Sequence, residues 1–338
     1  MRTTICVAAL AAATMSARAE PAPCQLQAIG ELSVSADGPD VTTDAEIDGK
    51  PVRLTIDTGA DASMLFRDSA AKLGLKFRSL DNGMSYGVGG VTRLYSARVK
   101  TLRVGSMEEH DSDLIATGHS MGTSQGALGE RFLTQADVEF DLPHGKIRFC
   151  KPHGCAGDQV VYWGDAYAVA PLEPTPHYQL LVKVSVNGRP LTAQLDTGAA
   201  VSVLTPQASA RVGVSKALAV RAGKLEGSGH EKITAYVDVF DSFGFGDEVI
   251  QHAKLWIADL FYADVETGTA TTSIPKRATD EPDMLLGADF FKSHRVYVSQ
   301  EQKKVYVSYA GGPVFDTSAR PQAPQTVTEG PNPVAAPN

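Results

Sequence analysis

Two apolar runs, Val52-Arg53-Leu54-Thr55-Ile56 and Leu191-Thr192-Ala193-Gln194-Leu195, place apolar residues at every second position and predict strands. Each is followed directly by Asp-Thr-Gly-Ala, at 57–60 and 196–199. A carboxylate, a hydroxyl and a glycine at a strand end suit a sharp turn that presents the acid to a cleft. Further along, residues 66–75 and 205–214 each predict a short helix. Thr205 is a good N-cap, and Pro206 suits the first helical position. Gly74 and Gly213 stand where the chain leaves a helix in a left-handed conformation.

Glycine-rich stretches at 86–90 and 226–229 follow, flanked by strand-like sequence. They predict hairpin tips carrying Tyr86, Gly87 and Gly89 in one case and Gly227 and Gly229 in the other. Taken alone, each reads as an ordinary tight turn. A third shared block, residues 128–133 and 286–291, predicts a second short helix, and a β-hairpin comes after it in both places.

These matches make the chain a duplication. Asp57 and Asp196 lie 139 positions apart, the glycine-rich stretches align at an offset of 140 and the third block at 158. The widening offset requires an insertion in the second copy, placed at 263–282, a polar stretch rich in Thr, Asp and Glu. The predicted organisation is an N-terminal segment at 20–39, a first unit at 40–150, a linker at 151–177 and a second unit at 178–309. The Pro- and Ala-rich tail at 310–338 has too few large apolar residues to order itself.

The first 19 residues change the expected compartment. A basic start, a short apolar segment from Ile5 to Ala13 and Ala17-Arg18-Ala19 have the order of a cleaved signal peptide. This predicts a secreted or periplasmic protein. Of 31 Lys and Arg residues, Arg2 and Arg18 would leave with the leader, so 29 basic residues face 39 acidic ones. That balance disfavours nucleic acid and anionic membranes as partners. Three cysteines remain. Cys150 and Cys155 read most simply as a small disulfide loop, with Cys24 left over unless it takes one of those two partners. A metal site at Cys150, His153 and Cys155 lacks a fourth ligand at a usual spacing.

Two carboxyls brought about 3 Å apart cannot both ionise easily, so one keeps its proton while the other can activate a water molecule. That chemistry hydrolyses peptide bonds and needs neither metal nor organic cofactor. In the three shared elements the chain resembles the retropepsin-like and pepsin-like aspartic peptidases. The resemblance covers roughly residues 40–150 and 178–309 and implies a mainly β fold of two tandem retropepsin-like β-barrel lobes with short helices. It implies a cleft between the lobes, a dyad of Asp57 and Asp196 assembled within one monomeric chain, and a peptide or protein substrate. Thr58 and Thr197 match the threonines that brace the two turns; Gly59 and Gly198 match the glycines that let backbone pass close to the acids. The glycine-rich hairpins match the flaps, and the first is the expected dominant one. Asp61 has Ala200 as its counterpart. It reads either as a cleft residue favouring a basic or polar substrate group on one side, or as a surface cap. The alternative to a peptidase is a non-catalytic module that uses the same cleft to bind a peptide or protein.

Overall fold

The computed structural model describes residues 24–118, 123–164, 166–175, 179–227, 229, 232–261 and 281–315. The expected signal peptide, nearly all of the expected insertion and nearly all of the tail lie outside them. The first half contains β1 (Gln25–Ser33), β2 (Thr42–Ile47), β3 (Lys50–Asp57), β4 (Met64–Phe66) and α1 (Arg67–Lys72). It continues with β5 (Phe77–Gly87), β6 (Gly90–Val104), β7 (Met107–Thr117), β8 (Gly126–Gly129), α2 (Glu130–Leu133), β9 (Asp137–Asp141) and β10 (Lys146–His153). After β11 (Ala168–Pro171), the second half has β12 (Leu181–Val186), β13 (Arg189–Leu195), β14 (Val203–Leu204) and α3 (Pro206–Arg211). Then come β15 (Val220–Leu225), β16 (Ile233–Phe245), β17 (Glu248–Ala258), β18 (Met284–Leu286), α4 (Ala288–Phe291), β19 (His294–Ser299) and β20 (Lys304–Tyr309).

The two halves repeat one topology. In the first, strands pair in the order β2-β3-β8-β4-β7-β6, and β6 pairs back onto β2 to close a six-stranded barrel. In the second, β12-β13-β18-β14-β17-β16 closes in the same way through β12 and β16. The protein is therefore mainly β, with two closed barrels in tandem. The alternation read from the sequence sets their interiors: Val52, Leu54 and Ile56 of β3 and Leu191, Ala193 and Leu195 of β13 are all buried. The helices form where expected. Thr205 Oγ1 accepts from Ala208 N at 3.2 Å at the start of α3. One strand in each half, β5 or β15, stays outside the closed ring and pairs only with its hairpin partner.

A third sheet joins the halves, in the antiparallel order β1-β10-β9-β19-β20-β11. The terminal hairpin of each half meets its counterpart at the β9–β19 seam, where Phe140 lies opposite Val296 and Val138 opposite Val298. The inner face, including Phe149, Val305 and Val307, is buried in a core cluster shared with both barrels. Burying each such side chain stabilises the joined state by about 1.5–3 kcal/mol.

The outer face combines buried acids with an aromatic cluster around Tyr297 and Tyr306, and residues between the halves, including Val160, Val161 and Trp163, cover it. Tyr162 OH donates to Glu139 Oε2 at 2.7 Å, and Trp163 Nε1 donates to Ser308 Oγ at 3.0 Å. Glu139 and Asp141, both fully buried, pair with Arg148 from their own half and Arg295 from the other. Removing one partner of such a pair would strand a buried charge.

The disulfide differs from the expected one. Cys24 bonds to Cys155, and Cys150 is a free, buried thiol. The reason is strand geometry. Cys150 lies inside β10, paired with Ala28 and Asp137, and the strand runs straight on to His153. Three residues of strand span about 10 Å, beyond disulfide reach, so Cys150 cannot turn back onto Cys155 without breaking the ladder. Cys24 precedes Gln25, which pairs with His153, and the turn at Gly154 brings Cys155 onto it. The Cys150 thiol is pushed up to about 11 by burial and by the charges of Glu139 and Asp137. We expect peptide mapping without reductant to recover the Cys24–Cys155 pair and alkylatable Cys150 only after unfolding. The bridge closes a loop with a sequence separation of 131. Cys24→Ser should therefore lower unfolding stability by about 2–5 kcal/mol in urea titration, whereas Cys150→Ser leaves the pairing intact.

Candidate active site

The acids sit at equivalent strand ends. Asp57 closes β3, and Asp196 directly follows β13. Asp57 Oδ1 accepts from Gly59 N at 3.0 Å and Ala60 N at 3.1 Å. Asp196 Oδ1 accepts from Gly198 N and Ala199 N at the same two distances. Each carboxylate thus folds its own turn, as short acidic side chains do when they bond to the backbone ahead of them. The turn leaves the second oxygen of each group free to face the other lobe.

The turns are tied to each other by threonine. Thr58 N donates to Thr197 Oγ1 at 3.1 Å, and Thr197 N donates to Thr58 Oγ1 at 3.0 Å. Each hydroxyl then donates across the lobe boundary, Thr58 to Leu195 O and Thr197 to Ile56 O, both at 2.8 Å. Both threonines are buried, so these bonds form away from competing water. The glycines permit the approach. A Cβ on Gly59 would stand 2.4 Å from Asp196 Cγ, and one on Gly198 would stand 2.4 Å from Asp57 Cγ. No residue with a side chain fits at either position.

The structure therefore brings Asp57, Thr58, Gly59, Asp196, Thr197 and Gly198 into one site. The glycine of each turn stands against the carboxyl of the other, so the two acids approach closely enough to influence each other's ionisation. Burial raises Asp57 to about 7, helped by the charge of Asp196. Burial also raises Asp196, to about 6, opposed by the amides of Ala199 and Gly198. Both carboxyls are thus held above the usual carboxylate range, and they titrate as a pair rather than as separate groups.

Both glycine-rich stretches are hairpin tips. Gly87 pairs with Gly90 at the end of β5 and β6, and the second tip lies between β15 and β16. The tips touch: Gly229 N donates to Val88 O at 2.9 Å, and Gly227 lies against Val88. The two tips therefore meet across the lobe boundary. Val88 also joins an apolar cluster of the second lobe that includes Ala199, Val203, Leu225, Ile233 and Leu285. Tyr86 pairs through its backbone with Val91 on the first hairpin. Asp61 is exposed at the end of its turn, and its carbonyl accepts from Arg131 N at 3.3 Å.

Sequence reasoning missed the braces behind the turns. Ser202 N and Ser202 Oγ both donate to the Asp289 carboxylate, at 2.9 and 2.6 Å. Gly287 N in turn donates to Ser202 Oγ at 2.9 Å. The first lobe keeps the serine, with Gly129 N donating to Ser63 Oγ at 3.1 Å. It places Arg131 where the second has Asp289. The available signal was the charge reversal at Arg131 and Asp289 within the third shared block.

A family model described as aspartyl protease matches residues 43–132 and 182–290, more than half of the chain. No curated relative matches the chain. The two matched segments fall on the two barrels and contain one Asp-Thr-Gly turn each, so the chain belongs to the aspartyl protease family, with two retropepsin-like units in tandem on one polypeptide.

Proposed function

We propose that this protein is an exported aspartic endopeptidase whose single active site is shared by its two halves, with Asp57 and Asp196 as the catalytic residues. The observation that carries the reading is the near-symmetric pair of carboxyls, held face to face by Thr58 and Thr197 and admitted by Gly59 and Gly198. A binding module has no need for a shared proton at the bottom of its cleft. The Cys24–Cys155 bond and the leader-like N-terminus support export.

The chemistry follows from the dyad. A water between the carboxyls gives a proton to the ionised acid as its oxygen attacks the scissile carbonyl carbon. The protonated acid donates to the carbonyl oxygen, giving a tetrahedral diol. Collapse of that diol breaks the C–N bond, and a carboxyl proton passes to the leaving nitrogen. The hairpin tips close over an extended peptide and exclude bulk water, which strengthens the electrostatic interactions beneath them. The apolar cluster on the second lobe favours apolar side chains next to the cleaved bond. Asp61 gives the first lobe's side of the cleft a charge for which the second has only Ala200.

Asp57→Asn and Asp196→Asn should each lower kcat on a peptide library by about 10³-fold or more, with circular dichroism unchanged. Full activity in either variant would remove the dyad from the mechanism.

The raised carboxyls also set the sign of the pH dependence of folding. Each keeps a proton in the folded state that the unfolded chain has already released. Their contribution to stability is therefore complete below about pH 4 and is lost as pH rises through about 6–7. The melting temperature should be higher at pH 5.5 than at pH 8, by about 5 °C. The Asp57→Asn/Asp196→Asn double variant should shrink that difference, leaving the part carried by Asp289, as scanning calorimetry would measure.

A further inference from the structure

The second lobe contains a mostly buried carboxylate, Asp289, that the dyad mechanism does not use. It sits on α4, immediately behind the turn that presents Asp196. Three donors converge on it: Ser202 N at 2.9 Å, Ser202 Oγ at 2.6 Å and Phe290 N at 3.0 Å. Ser202 is fully buried, and its hydroxyl also accepts from Gly287 N at 2.9 Å. One side chain thus pins residue 202 to the segment carrying Leu286 and Gly287. That same segment supports the catalytic turn from below, since Leu286 O accepts from Asp196 N at 2.9 Å. Ala288 N donates to Ala199 O at 2.7 Å.

We infer that Asp289 is a positioning residue for Asp196: by clamping Ser202 it fixes the loop at 198–202, and so holds the Gly198 and Ala199 amides on the catalytic carboxylate. This rests on the peptidase reading above for its effect on cleavage, but the clamp itself is independent of that reading. The first lobe is the internal comparison. Glu130 N donates to Ala60 O at 2.7 Å, as Ala288 N does to Ala199 O, so the backbone frame is the same. At the position of Asp289 the first lobe has Arg131, whose guanidinium cannot accept from an amide or a hydroxyl. The dyad is therefore symmetric in its own atoms and asymmetric in the layer behind it.

The direction of the effect follows from the amides. Hydrogen bonds from Gly198 N and Ala199 N favour the ionised form of Asp196. If the loop loosens, those donors drift and the pair takes up a proton more readily. Asp289 is itself raised to about 6 by burial, with Lys292 as the opposing nearby charge; Lys292 in turn faces Asp40 and Asp37.

The test compares wild type with Asp289→Ala, Asp289→Asn and Ser202→Ala. Asn can accept from Ser202 N through its oxygen and donate to Ser202 Oγ through its nitrogen, so it keeps both bonds to Ser202 without the charge and gives up only the acceptor for Phe290 N. Peptide cleavage followed from pH 3 to 8 should show Asp289→Ala losing about 10-fold or more in kcat with KM little changed. The acid limb of its profile should move up by about 0.5 or more. Ser202→Ala should move it in the same direction, and Asp289→Asn should stay within about 3-fold of wild type with an unmoved limb. Carbon-13 NMR titration of the aspartate carboxyls reads the same shift without cleavage, so it decides the clamp even if no peptide is hydrolysed. If Asp289→Ala fails to fold, Ser202→Ala and Asp289→Asn carry the comparison. An acid limb and a carboxyl titration unchanged in Ser202→Ala and in any folded Asp289→Ala protein would overturn the proposal, as would an upward shift in Asp289→Asn equal to that of Asp289→Ala.

Discussion

Two buried threonine hydroxyls set the geometry on which the site depends. Thr58 and Thr197 each accept an amide proton from the other's backbone and donate to a carbonyl on the far lobe. Every member of this four-bond ring is satisfied by the opposite half, so neither turn has its full set of partners alone. A buried polar network is stable only when all its groups are paired, and this one is completed only when the lobes meet. The ring fixes the distance between two strand ends and therefore between two carboxyls. Those carboxyls are costly to bury. The free energy to hold them close comes from the apolar faces of the barrels and of the sheet between them.

The joining sheet has a different task. It presses the terminal hairpins of both halves against one shared core and carries a paired-charge layer on its other side. The disulfide fastens the end of the edge strand β1, which is paired along its length with β10. The two hairpin tips meet each other, each carried by one barrel strand, β6 or β16, and by one strand outside the ring, β5 or β15.

Much of this was legible in the chain itself. The alternation in 52–56 and 191–195, the Asp-Thr-Gly turns and the helix signals at Thr205, Pro206, Gly74 and Gly213 are local, and local preferences are written in local sequence. The repeat offset then turned separate turns into one expected site. The disulfide was misread because the spacing of Cys150 and Cys155 says nothing about an intervening strand, and the strand is imposed by pairing with β1 and β9. The Ser202–Asp289 brace joins residues 87 positions apart, so no local pattern announces it. The contact between the two hairpin tips was equally out of reach, since neither stretch of glycine encodes where the other lobe will hold its partner.

The sequence by itself determined two equivalent units, the acids each contributes, and the absence of side chains at 59 and 198. Each of these follows from the chemistry of a residue and its immediate neighbours. Only the tertiary structure decided that the units face one another across a common sheet, which cysteine finds which, and that the two Asp-Thr-Gly turns have different supports behind them. Those outcomes depend on which distant strands pair and at what register, and pairing is settled by the burial of whole faces rather than by any single residue.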